Sequence, residues 1–422
     1  AFRLENRVMT LYGFMILVLF LAAYCFGALL AARPQPQQPR RAALRIDFRM
    51  ADRILTVAAV VAVFASVMDI QGRNVLDLAD AYQVRSDRAG ALLAGSQSES
   101  TIWFQIAFLT YPAGYVYLVR EVAFRARPVW WRLSAFGLTP IVITSLAMGG
   151  RAPLFYALLM ILFGFSIRKQ LFPKAKSRLD PSKRKRNREF RLGVPAKIGI
   201  ASLAGVMLVY FVQVFFARAD IAGGVDGMFG VASTSWGVNF NGRFSNAFFF
   251  TLGPDGTYLV FVFAWYVVQG LVMSNAVFTE YQGSMMMGAY GIDLAGAVMR
   301  RVNGEFLAEG YSQLLRLNIA GFLPSAFGSL YVDFGFFGLL FSTAWGWITG
   351  KVYANVKRGA DDRWLLLVPF VTVGIIFSLI NTPIGFSNGL VTHVWLVITF
   401  LSARGRDTSN TAPPKTLRLS VR

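Results

Sequence analysis

The stretch from Arg168 to Lys197, RKQLFPKAKSRLDPSKRKRNREFRLGVPAK, constrains this chain more than any other. Lys and Arg dominate it, and only Asp180 and Glu189 oppose them. Apolar runs flank it at about 152–167 and 198–216, near the length a spanning helix needs. Basic residues close to span ends resist translocation, so such a loop stays on the cytoplasmic side. This one segment sets the orientation of every other span and turns attention to the loops on the opposite face.

Composition agrees. Of 422 residues, 55% are hydrophobic and only 15% charged, against about 25% charged in a typical soluble domain. The formal charge of +20 raises the possibility of a nucleic-acid partner. Most of that excess sits in short loops between spans, where topology already accounts for it, and no nucleic acid is expected. A single cysteine, Cys25, excludes an internal disulfide and a cysteine metal cluster. A single histidine, His393, excludes a His-based metal site. The first apolar segment is long and no small-residue cleavage pattern follows it, so it reads as a span rather than a signal peptide.

Basic loops and apolar runs together predict an all-α polytopic membrane protein with about nine or more transmembrane helices. Spans are expected near 8–31, 54–70, 101–119, 133–148, 152–167, 198–216, 326–349, 364–380 and 389–402. The chain divides into N-terminal spans (1–216, containing the cytoplasmic basic loop 168–197), a large outer-face region (217–325), C-terminal spans (326–403) and a cytoplasmic tail (404–422) that is expected to be polar and disordered from Thr408. Parity constrains the outer region. The span ending at Lys351, Lys357 and Arg358 must run inward, so 217–325 crosses an even number of times. Either 257–274 lies in the outer interface or re-enters, or it crosses and a segment near 284–298 returns. The first is favoured, because only Glu280 would hold the inner turn of the second.

The outer side collects arginines: Arg85, Arg88, Arg151, Arg218, Arg243, Arg300, Arg301 and Arg316. A guanidinium is permanently charged and its planar fork suits phosphate oxygens. Several together imply an anionic ligand such as a lipid phosphate or diphosphate, although each could instead snorkel to headgroups. Arg151 stands out because two glycines precede it and allow close approach to a ligand. Candidate bases for a hydroxyl are Glu280, Glu309 and His393. Asp333 lies at the start of a span, where an acid is either paired or functional. No nucleotide-binding loop or dinucleotide fingerprint occurs in a supporting context.

Two segments carry a resemblance: AMGGRAPLF (147–155) and LPSAFGSLYVDFGFFGLLFSTAWGWITG (323–350). The Phe-Gly-x-Leu-Tyr-x-Asp-Phe-Gly-x-x-Gly core of the second is similar to the late span of bacterial oligosaccharide repeat-unit polymerases, the Wzy-type O-antigen polymerases. A mid-chain basic loop and a large outer loop resemble that family's layout. The resemblance implies a GT-C-like glycosyltransferase of the inner membrane with a periplasmic active site. It would polymerise undecaprenyl-diphosphate-linked oligosaccharide into O-antigen or a related polysaccharide, without cofactor or metal. Its partners would be that lipid-linked substrate, membrane lipids and a chain-length regulator. It further implies diphosphate binding by Arg151 and by outer-loop arginines. Here the pattern departs from the family, since none of Arg218, Arg243, Arg300, Arg301 and Arg316 has glycine at the family's offset. Trp236, Phe240, Trp265 and Tyr281 could stack on sugars, although packing is the commoner fate of such rings. Rival readings are an O-antigen ligase, a polyprenyl-phosphate-sugar glycosyltransferase using Asp69, Asp77 and Asp80, and a transporter or flippase. The last lacks the internal repeat expected of it.

Overall fold

The computed structural model describes residues 3–4, 9–32, 45–71, 101–125, 127–147, 150–171, 194–240, 243–319, 324–359 and 361–406. Among these it is helical apart from two short two-stranded pairings, Arg3–Leu4 with Val238–Asn239 and Arg45–Asp47 with Arg404–Arg406. The helices are α1 (Leu11–Ala31), α2 (Arg49–Ile70), α3 (Ile102–Phe124), α4 (130–147), α5 (Ala152–Leu171), α6 (Val194–Ile221) and α7 (Gly224–Trp236). They continue as α8 (Arg243–Glu280), α9 (Asp293–Val302), α10 (Gly304–Arg316), α11 (Ala326–Phe334), α12 (Gly338–Arg358), α13 (Asp362–Leu379) and α14 (Gly389–Ser402). Seven helices among the described residues are long and apolar enough to cross a membrane, or eight if the pair α6–α7, bent by 77°, counts as one span. The chain is a polytopic membrane protein.

That count is lower than the nine or more expected from sequence. The run expected at 133–148 is helical as α4, but Leu133–Leu138 is wound as a π-helix and this helix is not among the seven. The run expected at 389–402 forms α14, only 14 residues long. At about 1.5 Å per residue this gives roughly 21 Å, less than the ~30 Å hydrocarbon layer.

Local signals account for most boundaries. Thr10 and Thr101 cap α1 and α3 by accepting from the backbone N–H of Gly13 and Phe104. Gly253 (φ 69°) followed by Pro254 breaks α8, because a positive φ suits glycine and proline lacks the N–H a continuous helix requires.

The tightest seam joins α1 to α12, and the two run parallel. Ser342 donates to the Phe20 carbonyl at 2.9 Å, and Tyr24 packs on Trp345 at 4.8 Å. Gly338, Ser342, Gly346 and Gly350 form a stripe of small buried residues at four-residue spacing. A Cβ at Gly346 would collide with the Tyr24 carbonyl, and one at Gly350 with that of Ala28. Small residues let backbones approach, which is how helices associate where lipid removes the hydrophobic drive.

One end of the bundle gathers the basic termini. Arg120, at the end of α3, pairs with Asp52 of α2 and with Glu121 at 2.7 Å. Arg125 reaches Glu121 at 3.0 Å, and Arg168 of α5 donates to the carbonyls of Val122 and Arg125. Arg363 at the start of α13 donates to the Ala403 carbonyl just beyond α14. The last turn of α3, Arg120–Phe124, is a π-helix, so the backbone widens where this charge cluster inserts.

At the other end α8 lies across the bundle. Tyr258 donates to the Phe215 carbonyl near the end of α6, and Tyr266 meets Arg151 at the start of α5. Gly270 abuts Leu379 at the end of α13, and Asn275 accepts from Thr10 at the start of α1. Over these residues α8 touches the non-basic ends of its neighbours. Its length and hydropathy permit a crossing.

Candidate functional site

The non-basic end is where polar chemistry concentrates. Between α13 and α14 the turn 380–388 sinks into the bundle. Ser387 Oγ lies 3.0 Å from the Tyr115 hydroxyl, and the Tyr111 hydroxyl donates to the Ser387 carbonyl at 3.4 Å. Tyr115 is some 20 Å along α3 from its start, so irregular backbone sits well below the helix ends. At such depth every polar group needs a protein partner. Asn381 Oδ1 accepts from Thr382 N at 2.7 Å, Thr382 Oγ1 accepts from Gly385 N at 3.1 Å, and the Asn388 amide donates to the Phe108 carbonyl.

A second layer covers this turn. Asp333, buried at the end of α11, accepts from the backbone N–H of Tyr290 at 2.9 Å and Gly291 at 2.8 Å. The segment is further held by Met286 and Met287, which donate to the Val332 and Asp333 carbonyls. Gly291 in turn lies against Gly385 of the sunken turn. Asp333 is therefore a clasp for 286–291, the paired reading of its two sequence alternatives. From this clasp hang α9 and α10, with Asn303 capping α10 by accepting from Phe306 N.

On these helices Arg300 is partly buried and its Nε has no hydrogen-bond partner. No carboxylate pairs with it among the described residues. Burial lowers its pKa, and the adjacent Tyr311 hydroxyl opposes that shift. Burial likewise raises Tyr311 to about 12 and Tyr290 well above the ordinary tyrosine value. Both hydroxyls remain protonated donors at any working pH. Asp293, two turns before Arg300, is within electrostatic reach of the Tyr311 and Tyr111 hydroxyls. The exposed Asp293, with Arg300, Tyr311, Tyr111 and Ser387, thus makes up a polar group at the non-basic end.

Arg151 opens α5 nearby. Its guanidinium lies 3.7 Å from the Phe215 ring centroid and donates to the Tyr266 hydroxyl at 2.9 Å. One turn further, Tyr156 packs on Tyr115 at 4.7 Å and on Phe386 of the sunken turn at 5.9 Å. Arg151 and the sunken turn therefore both meet the first turns of α5.

The other candidates are more dispersed. Arg85 and Arg88 lie outside the described residues, as do Asp77 and Asp80. Arg243 opens α8, and Arg218 is half-buried near the end of α6. Arg301 and Arg316 are exposed. Glu280 is exposed at the end of α8, and Glu309 shares the exposed face of α10 with Glu305 and Arg316. His393 places Nδ1 2.7 Å from the Gly389 carbonyl of its own helix. Asp69 accepts from the Thr101 hydroxyl at 2.5 Å. The aromatic candidates pack on one another: Trp236 stacks on Trp265 at 5.2 Å, and Phe240 meets Phe261 at 5.0 Å. Tyr281 donates to the Ser284 carbonyl.

From sequence Arg300 is only one of the outer arginines, with Arg301 and not Arg300 singled out for diphosphate binding, and nothing marks Tyr111, Tyr311 or Ser387. The signal for the turn was present in the unusually short final apolar run, preceded by Asn381, Pro383, Gly385 and Asn388.

The fold and this site define a multi-pass helical membrane protein with a polar cluster at its non-basic end. Comparison with protein-family models, curated proteins and solved structures finds no match in any of the three.

Proposed function

We propose that this chain is a membrane glycosyltransferase that polymerises undecaprenyl-diphosphate-linked oligosaccharide repeat units, acting at the periplasmic face of the bacterial inner membrane. The observation that carries this reading is Arg300, a partly buried guanidinium without a carboxylate partner among the described residues. A cation left without an acid in such a position suits an anionic ligand. The resemblance of 147–155 and 323–350 to repeat-unit polymerases supplies the ligand class. Under this reading the chain crosses nine times, counting α4, α6 and α14 as spans and α8 as interfacial. All the basic loops then share one side, and α7 to α10 form the outer region.

In the proposed reaction Arg300 and Arg151 hold the donor diphosphate and neutralise charge that grows on it in the transition state. The acceptor sugar hydroxyl attacks the donor anomeric carbon. The new glycosidic bond forms as the bond from that carbon to the diphosphate oxygen breaks, and the diphosphate leaves with the bonding electrons. The hydroxyl proton passes to a carboxylate, for which Asp293 is better placed than Glu280 or Glu309 because it lies on the helix of Arg300 and within reach of Tyr111.

The test is deletion of the gene followed by gel analysis of surface glycans. Loss of the long ladder with one repeat unit still attached supports polymerisation. Loss of all attached glycan, with polymer retained on its lipid carrier, identifies a ligase instead. An unchanged ladder rejects the proposal and favours a transporter or another glycan pathway.

A further inference from the structure

We infer that a groove near the basic end of the bundle binds one anionic diacyl phospholipid. The groove has a volume of about 410 Å³ and runs between α2, α3 and α14, lined by Arg53, Val57, Ala58, Val61, Thr110 and Trp395. Arg53, Val57 and Val61 recur every four residues and so form one face of α2. Trp395 is fixed as a wall by its indole N–H, which donates to the Leu109 carbonyl at 2.8 Å. Val57 and Val61 are exposed, so the groove opens sideways, where lipid stands in a membrane.

Charge settles which lipid. The apolar part begins one turn from Arg53, which is exposed and has no carboxylate partner among the described residues. Arg49 is exposed one turn earlier, and its contact with Asp47 is long at 3.9 Å. The pairing of Arg45–Asp47 with Arg404–Arg406 sets the exposed Arg404 opposite Asp47, two residues before Arg49. Asp52, adjacent to Arg53 in the chain, is engaged by Arg120. An acyl chain lying along Val57 and Val61 therefore places its headgroup phosphate among cations. A net-negative headgroup gains more there than a zwitterionic one, by the ordinary attraction of juxtamembrane basic residues for anionic lipid. Neither Arg300 nor Arg151 lines this groove, and the inference stands independently of the proposed reaction.

Native mass spectrometry of the delipidated full chain in detergent tests the assignment. Dioleoylphosphatidylglycerol and dioleoylphosphatidylethanolamine are added at equal concentration. The wild type is expected to retain the anionic lipid about fivefold more, equivalent to about 1 kcal/mol. Arg53→Gln should remove that preference, and Val57→Trp, which fills the groove, should cut retention of both lipids. Val60→Trp, on an exposed part of α2 outside the groove, should leave both results unchanged. Equal retention of the two lipids by the wild type overturns the inference, as does an undiminished preference in Arg53→Gln. Full retention in Val57→Trp, or equal loss in Val60→Trp, also overturns it.

Discussion

Arg300 and Arg301 are neighbours on one helix and meet different surroundings. Arg301 is exposed, whereas Arg300 is drawn under α10 beside Tyr311. Under the proposed function Arg300→Ala abolishes the glycan ladder at normal protein levels, because the diphosphate loses a preorganised cation worth roughly 3 kcal/mol in the transition state. Arg301→Ala leaves the ladder intact. Equal ladders from the two variants would remove Arg300 from the mechanism. Arg151 is tested alongside. Its stacking on Phe215 is worth about 0.5–2 kcal/mol, so Arg151→Ala is expected to lose the ladder with only a small drop in melting temperature. At this scale the sequence was only partly readable. An arginine in an outer loop is visible in one dimension, but whether it is buried or finds an acid depends on how α9 folds against α10. That fold rests on the Asp333 clasp, which no local pattern encodes.

The glycine spacing of α12 could be read as a packing face, yet its partner could not. Parallel packing against α1, more than three hundred residues earlier in the chain, emerges only in three dimensions. Gly346→Leu inserts a side chain where the Tyr24 backbone lies. It should cost about 3 kcal/mol, the upper part of the usual range for overpacking, and lower the melting temperature of the detergent-solubilised protein. Val394→Leu, an exposed apolar position on α14, serves as the control and should not. The clasp is a second element-level device. Asp333→Ala leaves the N–H groups of Tyr290 and Gly291 without their acceptor, at about 1–3 kcal/mol each. Its expected signature is local: faster amide exchange across 286–316, with α1 and α12 protected as before. Uniformly faster exchange would show that Asp333 supports the whole bundle instead. An interfacial or re-entrant α8 is what the missing inner cations favour, a charge argument. Its length and hydropathy alone argue the opposite way.

Over the whole molecule, the expected orientation rests on charge at span ends, which needs no packing information. The structure adds an independent reason for grouping those ends. Arg120, Arg125 and Arg168 are tied to Asp52, Glu121 and backbone carbonyls across three helices. Span number was less readable, since α14 is shortened by the sunken turn and α8 is apolar enough to cross while touching the non-basic ends of several helices. Thiol labelling separates these possibilities. Cys25→Ser supplies a background without cysteine, into which single cysteines are placed and probed with an impermeant maleimide on intact cells with a permeabilised outer membrane. Asn303→Cys, in the exposed turn between α9 and α10, should label, and Lys357→Cys, at the basic end of α12, should label only after lysis. Asp255→Cys and Gln282→Cys bracket the apolar part of α8, and both positions are exposed. If α8 lies across the outer end, the two label together from outside. If it crosses, one of them reacts only after lysis, and an additional return span is then required to keep Lys351, Lys357 and Arg358 with the other basic loops.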